Sequence, residues 1–161
     1  MAGSADSDGF RATIGHPGLL PLYDHWRELR QDDARPPPRD AFDPRRLGRA
    51  LAWLIVNEVV HGAAPDGGPR FRIRLEGDDV VQARGYGAKG RFIDEPGVLV
   101  LHNEVTAHYR RIVETGRPWY SEGRFRHAEG RYGQLYRLAV PFAGEVPDRV
   151  DFIFVGFLHT I

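Results

Sequence analysis

The sequence predicts an α+β fold: one antiparallel sheet of five strands with helices packed on it. Five runs rich in β-branched and aromatic residues are separated by clusters of turn-forming residues. Two segments carry apolar residues at helical spacing, one ahead of the first strand and one between the second and the third. Two strands, a helical crossing and three further strands make an antiparallel α+β arrangement rather than an alternating parallel one.

The first eighteen residues are small, polar and punctuated by Gly and Pro, so 1–18 is expected to be a flexible tail, with structure beginning near Leu19. Leu19, Leu22, Tyr23, Trp26 and Leu29 then recur on one face, with Asp24, His25, Arg27 and Glu28 on the other, predicting an amphipathic helix over 19–32. ARPPPRD stops it, because consecutive prolines lack amide donors. Asp43-Pro44 supplies an N-cap and a first helical residue for a short helix to about Leu51. WLIVNEVVH (Trp53 to His61) and RFRIRLEG form a hairpin, and in the second run Phe71, Ile73 and Leu75 alternate with Arg70, Arg72 and Arg74. Residues 77–97 read as helical turns broken by glycine. Residues 98–115 read as a long helix with Leu101, Val105, His108 or Tyr109, and Ile112 on one face, closed by Gly116. Trp119 to His127, Tyr132 to Phe142 and Val150 to His159 complete the strands. The last, VDFIFVGFLH, is apolar on both faces, which predicts a central strand covered from both sides.

A chain of 161 residues can bury a core without metal or disulfide staples, and 19–161 is expected to be a single domain. Basic and acidic residues balance at 22 each, so no net field draws nucleic acid or an acidic membrane, and neither is an expected partner. The absence of cysteine excludes disulfides, thiolate metal sites and any thiol adduct. No leader pattern opens the chain and no apolar run reaches bilayer length, so a cytoplasmic location is expected.

GYGAKG, Gly85 to Gly90, spells the G-x-G-x-x-G pattern of dinucleotide-binding loops. That reading needs a buried strand before it and a long helix after it. DDVVQAR is no buried strand, and Pro96-Gly97 interrupts the helix, so the glycines are assigned to tight turns in a compact connector.

LYDHWRELR, the RPPPRDAFDPRRLGRALAWLIVNEV stretch, RFRIRLEGDDVVQARGYGAKGRFIDE, ETGRPWY and LYRLAVPF follow one another in the order found in the single-domain PAS subfamily frequent in alphaproteobacteria. The chain resembles that subfamily from about Leu19 to His159. The resemblance implies a sheet of order 2-1-5-4-3, helices on one face, and an N-terminal helix that packs on the sheet and mediates dimerisation. It also implies a sensory or interaction module, not an enzyme, able to take haem, flavin, a small metabolite or a protein. With the chain ending at Ile161, output is expected in trans.

Ligands of such domains lie between the long helix and the inner sheet face, in pockets that are mostly apolar with a few placed polar groups. By alternation, Phe71, Ile73, Leu101, Val105, Tyr109, Tyr136 and Leu138 are expected to line this space, with His102, Asn103, His108 and Trp119 as polar or aromatic contacts. Core packing is the competing reading for each. A flavin photoadduct is excluded without cysteine. His102 and His108 are six positions apart, a rotation of about 600°, so they cannot share one ion. Either alone is a candidate haem ligand, with a hydrogen-bonded histidine the favoured alternative. Glu104 and His108 share a face, but no nucleophile or third ligand accompanies them, so no catalytic or metal site is assigned. The arginine groups at 70, 72, 74 and at 45, 46, 49 are candidate phosphate contacts, with salt-bridged surface faces favoured. The expected protein is a homodimeric sensor that binds a small molecule and acts on a signalling partner, with Leu19, Leu22, Tyr23, Trp26 and Leu29 at the dimer interface. The alternative is a ligand-free adaptor, and the cofactor is left open.

Overall fold

The computed structural model describes residues 9–30, 35–99 and 101–160. Strands β1 (Leu54–Val60), β2 (Arg70–Glu76), β3 (Trp119–Arg126), β4 (Tyr132–Ala143) and β5 (Val150–Thr160) lie close to the expected runs. They form one antiparallel sheet in the order β2-β1-β5-β4-β3. Helix α1 (residues 9–13) and helix α2 (Leu20–Leu29) precede the sheet; α3 (Asp78–Arg84) and α4 (His102–Thr115) cross between β2 and β3. Among the described residues no helix is long and apolar enough to cross a membrane.

The sheet has a core on each face, because β5 alternates between them. Ile153 and Val155 pack with Ile55, Phe71 and the α4 residues Val105, Tyr109 and Ile112. Phe154 and Leu158 pack on the other side with Val140, Phe142 and the α2 residues Leu22, Tyr23 and Trp26. The Trp26 indole donates to the Pro141 carbonyl at 2.8 Å, so its one polar atom is satisfied inside the outer layer. His25, also buried, accepts the Asp43 amide at 2.9 Å and so ties α2 to the segment leading into β1.

Several boundaries differ from the sequence expectation. The chain is folded before Leu19: the Phe10 ring stacks on Tyr23 at 5.4 Å, Arg11 pairs with Asp24, and the Gly15 amide donates to the Tyr120 hydroxyl at 2.9 Å. Two apolar side chains, Phe10 and Ile14, anchor an otherwise polar stretch to the outer core. Residues 1–8 of the expected tail and the last two residues of the helix expected over 19–32 lie outside the described residues. The helix expected from Pro44 is a 3-10 segment, Pro44–Trp53, kinked at Gly48 (φ 54°) and capped by Asp43, which accepts the Arg45 amide at 3.0 Å. The long helix starts at His102 rather than 98, since Leu101 at φ −99°, ψ 39° is still outside the helical region.

The expected dimer face is occupied by the chain itself. Leu19, Leu22, Tyr23 and Trp26 are at most 2% exposed, and Leu29 packs partly against the same core. One helical stripe cannot cover its own sheet and a partner at once, so these residues do not form a dimer interface while α2 is docked.

The connector between α3 and α4 is held by a buried ion pair. Glu76, at the end of β2, binds Arg84 through one carboxylate oxygen and accepts the Ala88 amide at 2.8 Å through the other. Residues 90–93 then run beside β2, exchanging backbone bonds with Phe71 and Ile73. At the hairpin tip, Asp66 pairs with Arg110 of α4 at 2.6 Å. That hydrogen bond, with one from the Gly68 amide, lowers the Asp66 carboxyl to about 2.

Arg84→Met leaves the Glu76 carboxylate buried without its cation and is expected to cost about 3–5 kcal/mol in urea unfolding. Adding Glu76→Gln should recover part of that loss; an unchanged midpoint in the single variant would remove the pair from this role. The Asp66 carboxyl should titrate near 2 by carbon NMR and return to the ordinary aspartate range in Arg110→Gln.

Candidate functional site

The inner sheet face is apolar except at a group of side chains under and beside α4. Helical spacing puts Val105, Tyr109 and Ile112 on the face that meets the sheet. Tyr109 meets Phe71 edge-on at 5.3 Å. Between them and β5 lies Asn57, 1% exposed, between Ile55 and Val59 on the inner face of β1. Its amide nitrogen donates to the Ile153 carbonyl at 3.4 Å, while its carbonyl oxygen has no partner among the described residues. The Tyr109 hydroxyl lies beside this amide. Burial pushes its pKa up, against smaller opposing effects from Arg137 and Asn57.

Towards β3 the lining becomes more polar. The His108 ring stacks on Trp119 at 4.4 Å with planes 25° apart. The His108 Nδ1 and Trp119 Nε1 atoms are both buried without a hydrogen-bond partner. Trp119 pairs in register with Ala139, two residues from Arg137, which shares that face of β4. Among the described residues no carboxylate pairs with Arg137, whose charge, after burial itself, lowers the His108 pKa. Cation, indole N–H and imidazole lie at the β3 side of this face, and the buried Asn57 amide lies on β1, two strands from the β4 that carries the cation. Glu104 is exposed and forms no ion pair or hydrogen bond with His108 among the described residues.

Phe71, Ile73, Val105 and Tyr109 share the inner core, with His108 and Trp119 at its edge. His102 instead turns back to the Leu99 carbonyl at 3.3 Å, Asn103 is exposed, and Leu101 is 60% exposed because it precedes the helix. Tyr136 and Leu138 belong to the opposite, outer core. β4 carries apolar residues on both faces near its centre, so alternation left the choice of face open, and pairing with β5 made it. Asn57 and Arg137 were missed, although each is a polar residue interrupting an apolar strand. The arginine stripes are largely salt-bridged: Arg70 to Asp94, Arg72 and Arg74 to Glu58, Arg45 to Asp43, Arg46 to Glu28. Gly85 caps helix α3 at φ 92°, so the glycine pattern follows a helix and not a strand.

No protein-family model matches the sequence, and no curated protein matches it either. Similar solved structures include a Rhodobacter sphaeroides LOV protein, 15% identical over 73% of this chain and 68% of that one, with a TM-score of 0.44. A PAS domain from Colwellia psychrerythraea is 18% identical over 70% and 93%, with a TM-score of 0.45. A fungal LOV domain photoreceptor is 14% identical over 96% and 99%, with a TM-score of 0.47. The chain has the PAS fold. That statement rests on its strand order and on the helices crossing between β2 and β3, since likenesses this distant carry no argument about ligand or signal. No sequence match assigns the PAS domain to the alphaproteobacterial subfamily its motifs resemble.

Burial lowers the pKa of His25, His108 and His159 below the ordinary value of 6.5. Each takes up a proton more readily unfolded than folded, so the stability they contribute is full above 6.5 and is lost as pH falls through it. Urea unfolding midpoints should therefore be lower at about pH 5.5 than at about pH 7.5. A flat or opposite dependence would contradict the burial assigned to these rings.

Proposed function

We propose that this PAS domain is a sensor that binds a small molecule between α4 and the inner sheet face and passes its state to a partner protein in trans. The supporting observation is the set of buried polar atoms without partners at that one interface: Asn57 Oδ1, His108 Nδ1 and Trp119 Nε1. Leaving one such group unsatisfied costs about 1–3 kcal/mol. Three at one helix–sheet seam, next to an arginine with no paired carboxylate, fit a ligand's donors and acceptors better than a closed hydrophobic seam.

Binding there acts on α4, which is linked to the β1–β2 hairpin through Arg110 and Asp66 and to β3 through His108 and Trp119. A ligand that favours one position of α4 biases both contacts and thereby the surface offered to a partner, provided its affinity differs between the two states. The role is binding and relay, with no substrate turnover. A ligand-free adaptor is the second reading, favoured by the exposed Leu51 and Leu75 beside a groove on the outer sheet face.

Native mass spectrometry of freshly purified protein, with an absorbance spectrum of the same sample, tests the proposal. The expected result is a mass excess of a few hundred daltons that falls in Asn57→Leu and in Arg137→Gln. A bare chain mass, together with α4 amide signals that do not move across a metabolite panel, would sink the sensor reading and leave the adaptor.

A further inference from the structure

We infer a second binding site, on the sheet face opposite α4, for a small amphiphile with one anionic head. The site is a cleft of about 750 Å³ between the 39–44 segment, the outer side of β1 and β2, and the connector at residues 89–90. That volume is within the range of small-ligand pockets, about 300–1,000 Å³. It opens on the face away from α4: most of its apolar surface comes from the opposite alternation of the strands, and Ile73 of the inner core reaches its edge. Leu54, Val56 and Phe154 are outer-core residues, and Phe42 closes the wall. Leu51 and Leu75 line the same cleft and stay 39% and 44% exposed, so α2 leaves this part of the outer face open.

The mouth is positive. Arg39, Arg74 and Lys89 line the cleft against a single acid, Asp40. Arg74 shares Glu58 with Arg72, so one carboxylate serves two guanidinium groups. Arg39 stacks on Phe152 at 4.4 Å. Lys89, the only lysine of the chain, is exposed and pairs with no carboxylate among the described residues. Its backbone is fixed: the Ala88 amide binds the buried Glu76 carboxylate, and the Gly90 amide binds the Ile73 carbonyl at 2.6 Å with Gly90 at φ 87°. A lysine on a fixed backbone beside an apolar floor, with Arg39 and Arg74 at the same mouth, complements an acid head on an aliphatic body.

The single lysine provides a site-specific probe. Reductive ¹³C-methylation keeps its charge and gives one side-chain dimethylamine signal besides the α-amine. Dodecanoate, below its micelle concentration, should shift that signal saturably, whereas dodecanol and dodecyltrimethylammonium should bind more weakly by about tenfold or more. Lys89→Gln and Leu75→Asp should each weaken dodecanoate binding in calorimetry by about tenfold, because one removes the head contact and the other puts a charge into the floor. Both positions are exposed, and His108→Ala beneath α4 should leave the affinity unchanged. Equal affinity for dodecanol, full binding by Leu75→Asp, or no saturable Lys89 shift would overturn the inference. So would a Lys89 shift that tracks protein concentration without dodecanoate, which would assign the groove to a second copy of the chain.

Discussion

A central strand that is apolar on both faces cannot be left open on either, and this constraint organises the domain. β5 sends Ile153 and Val155 to one side and Phe154 and Leu158 to the other. Antiparallel pairing with β1 and β4 extends the two-sided demand across the sheet. The crossing helices answer it on the inner face. On the outer face the N-terminal segment does so, with Trp26 bonded to the β4 carbonyl of Pro141 and Leu19 packed so closely on β5 that a Cβ at Gly156 would fall 2.7 Å from its methyl. The helix that looks from its pattern like an interface is thereby a structural layer of the monomer.

The inner layer is built differently, with polar groups inside it. α4 is pinned at the hairpin tip by Arg110 and Asp66 and stacked on the β3 edge through His108 and Trp119. Asn57 interrupts the apolar row between those points. Apart from these groups the layer is apolar, and the atoms among them that lack partners carry a cost in stability. The connector is tied down more fully. The Glu76–Arg84 pair and the backbone bonds of residues 90–93 hold it against β2 and, on the far side, hold Lys89 at the mouth of the outer groove.

Much of the fold was legible. RFRIRLEG alternates strongly, VDFIFVGFLH is a continuous β-branched and aromatic run, and Gly116 sits at positive φ where α4 stops. The make-up of the inner sheet face was legible only in part. Phe71, Ile73, Val105 and Tyr109 were found because helix and strand periods each place one apolar stripe. Tyr136 and Leu138 went to the wrong face because LYRLAVPF is apolar at both parities over much of its length, so the local pattern holds no information about side. The anchoring of residues 9–18 was missed because it depends on two side chains, Phe10 and Ile14, meeting a surface assembled from distant strands.

By itself the sequence determined the kind and order of the elements, the need for a cover on both faces of β5, and the absence of thiol chemistry, since each follows from local period or composition. Tertiary structure alone decided which face β4 turns to α4, that α2 covers its own sheet, that His108 stacks on Trp119 while Asn57 is buried on the same face with β4 and β5 between, and that Lys89 lines an apolar groove. Those outcomes depend on strand register and on contacts between residues far apart in the chain, and no local pattern encodes either.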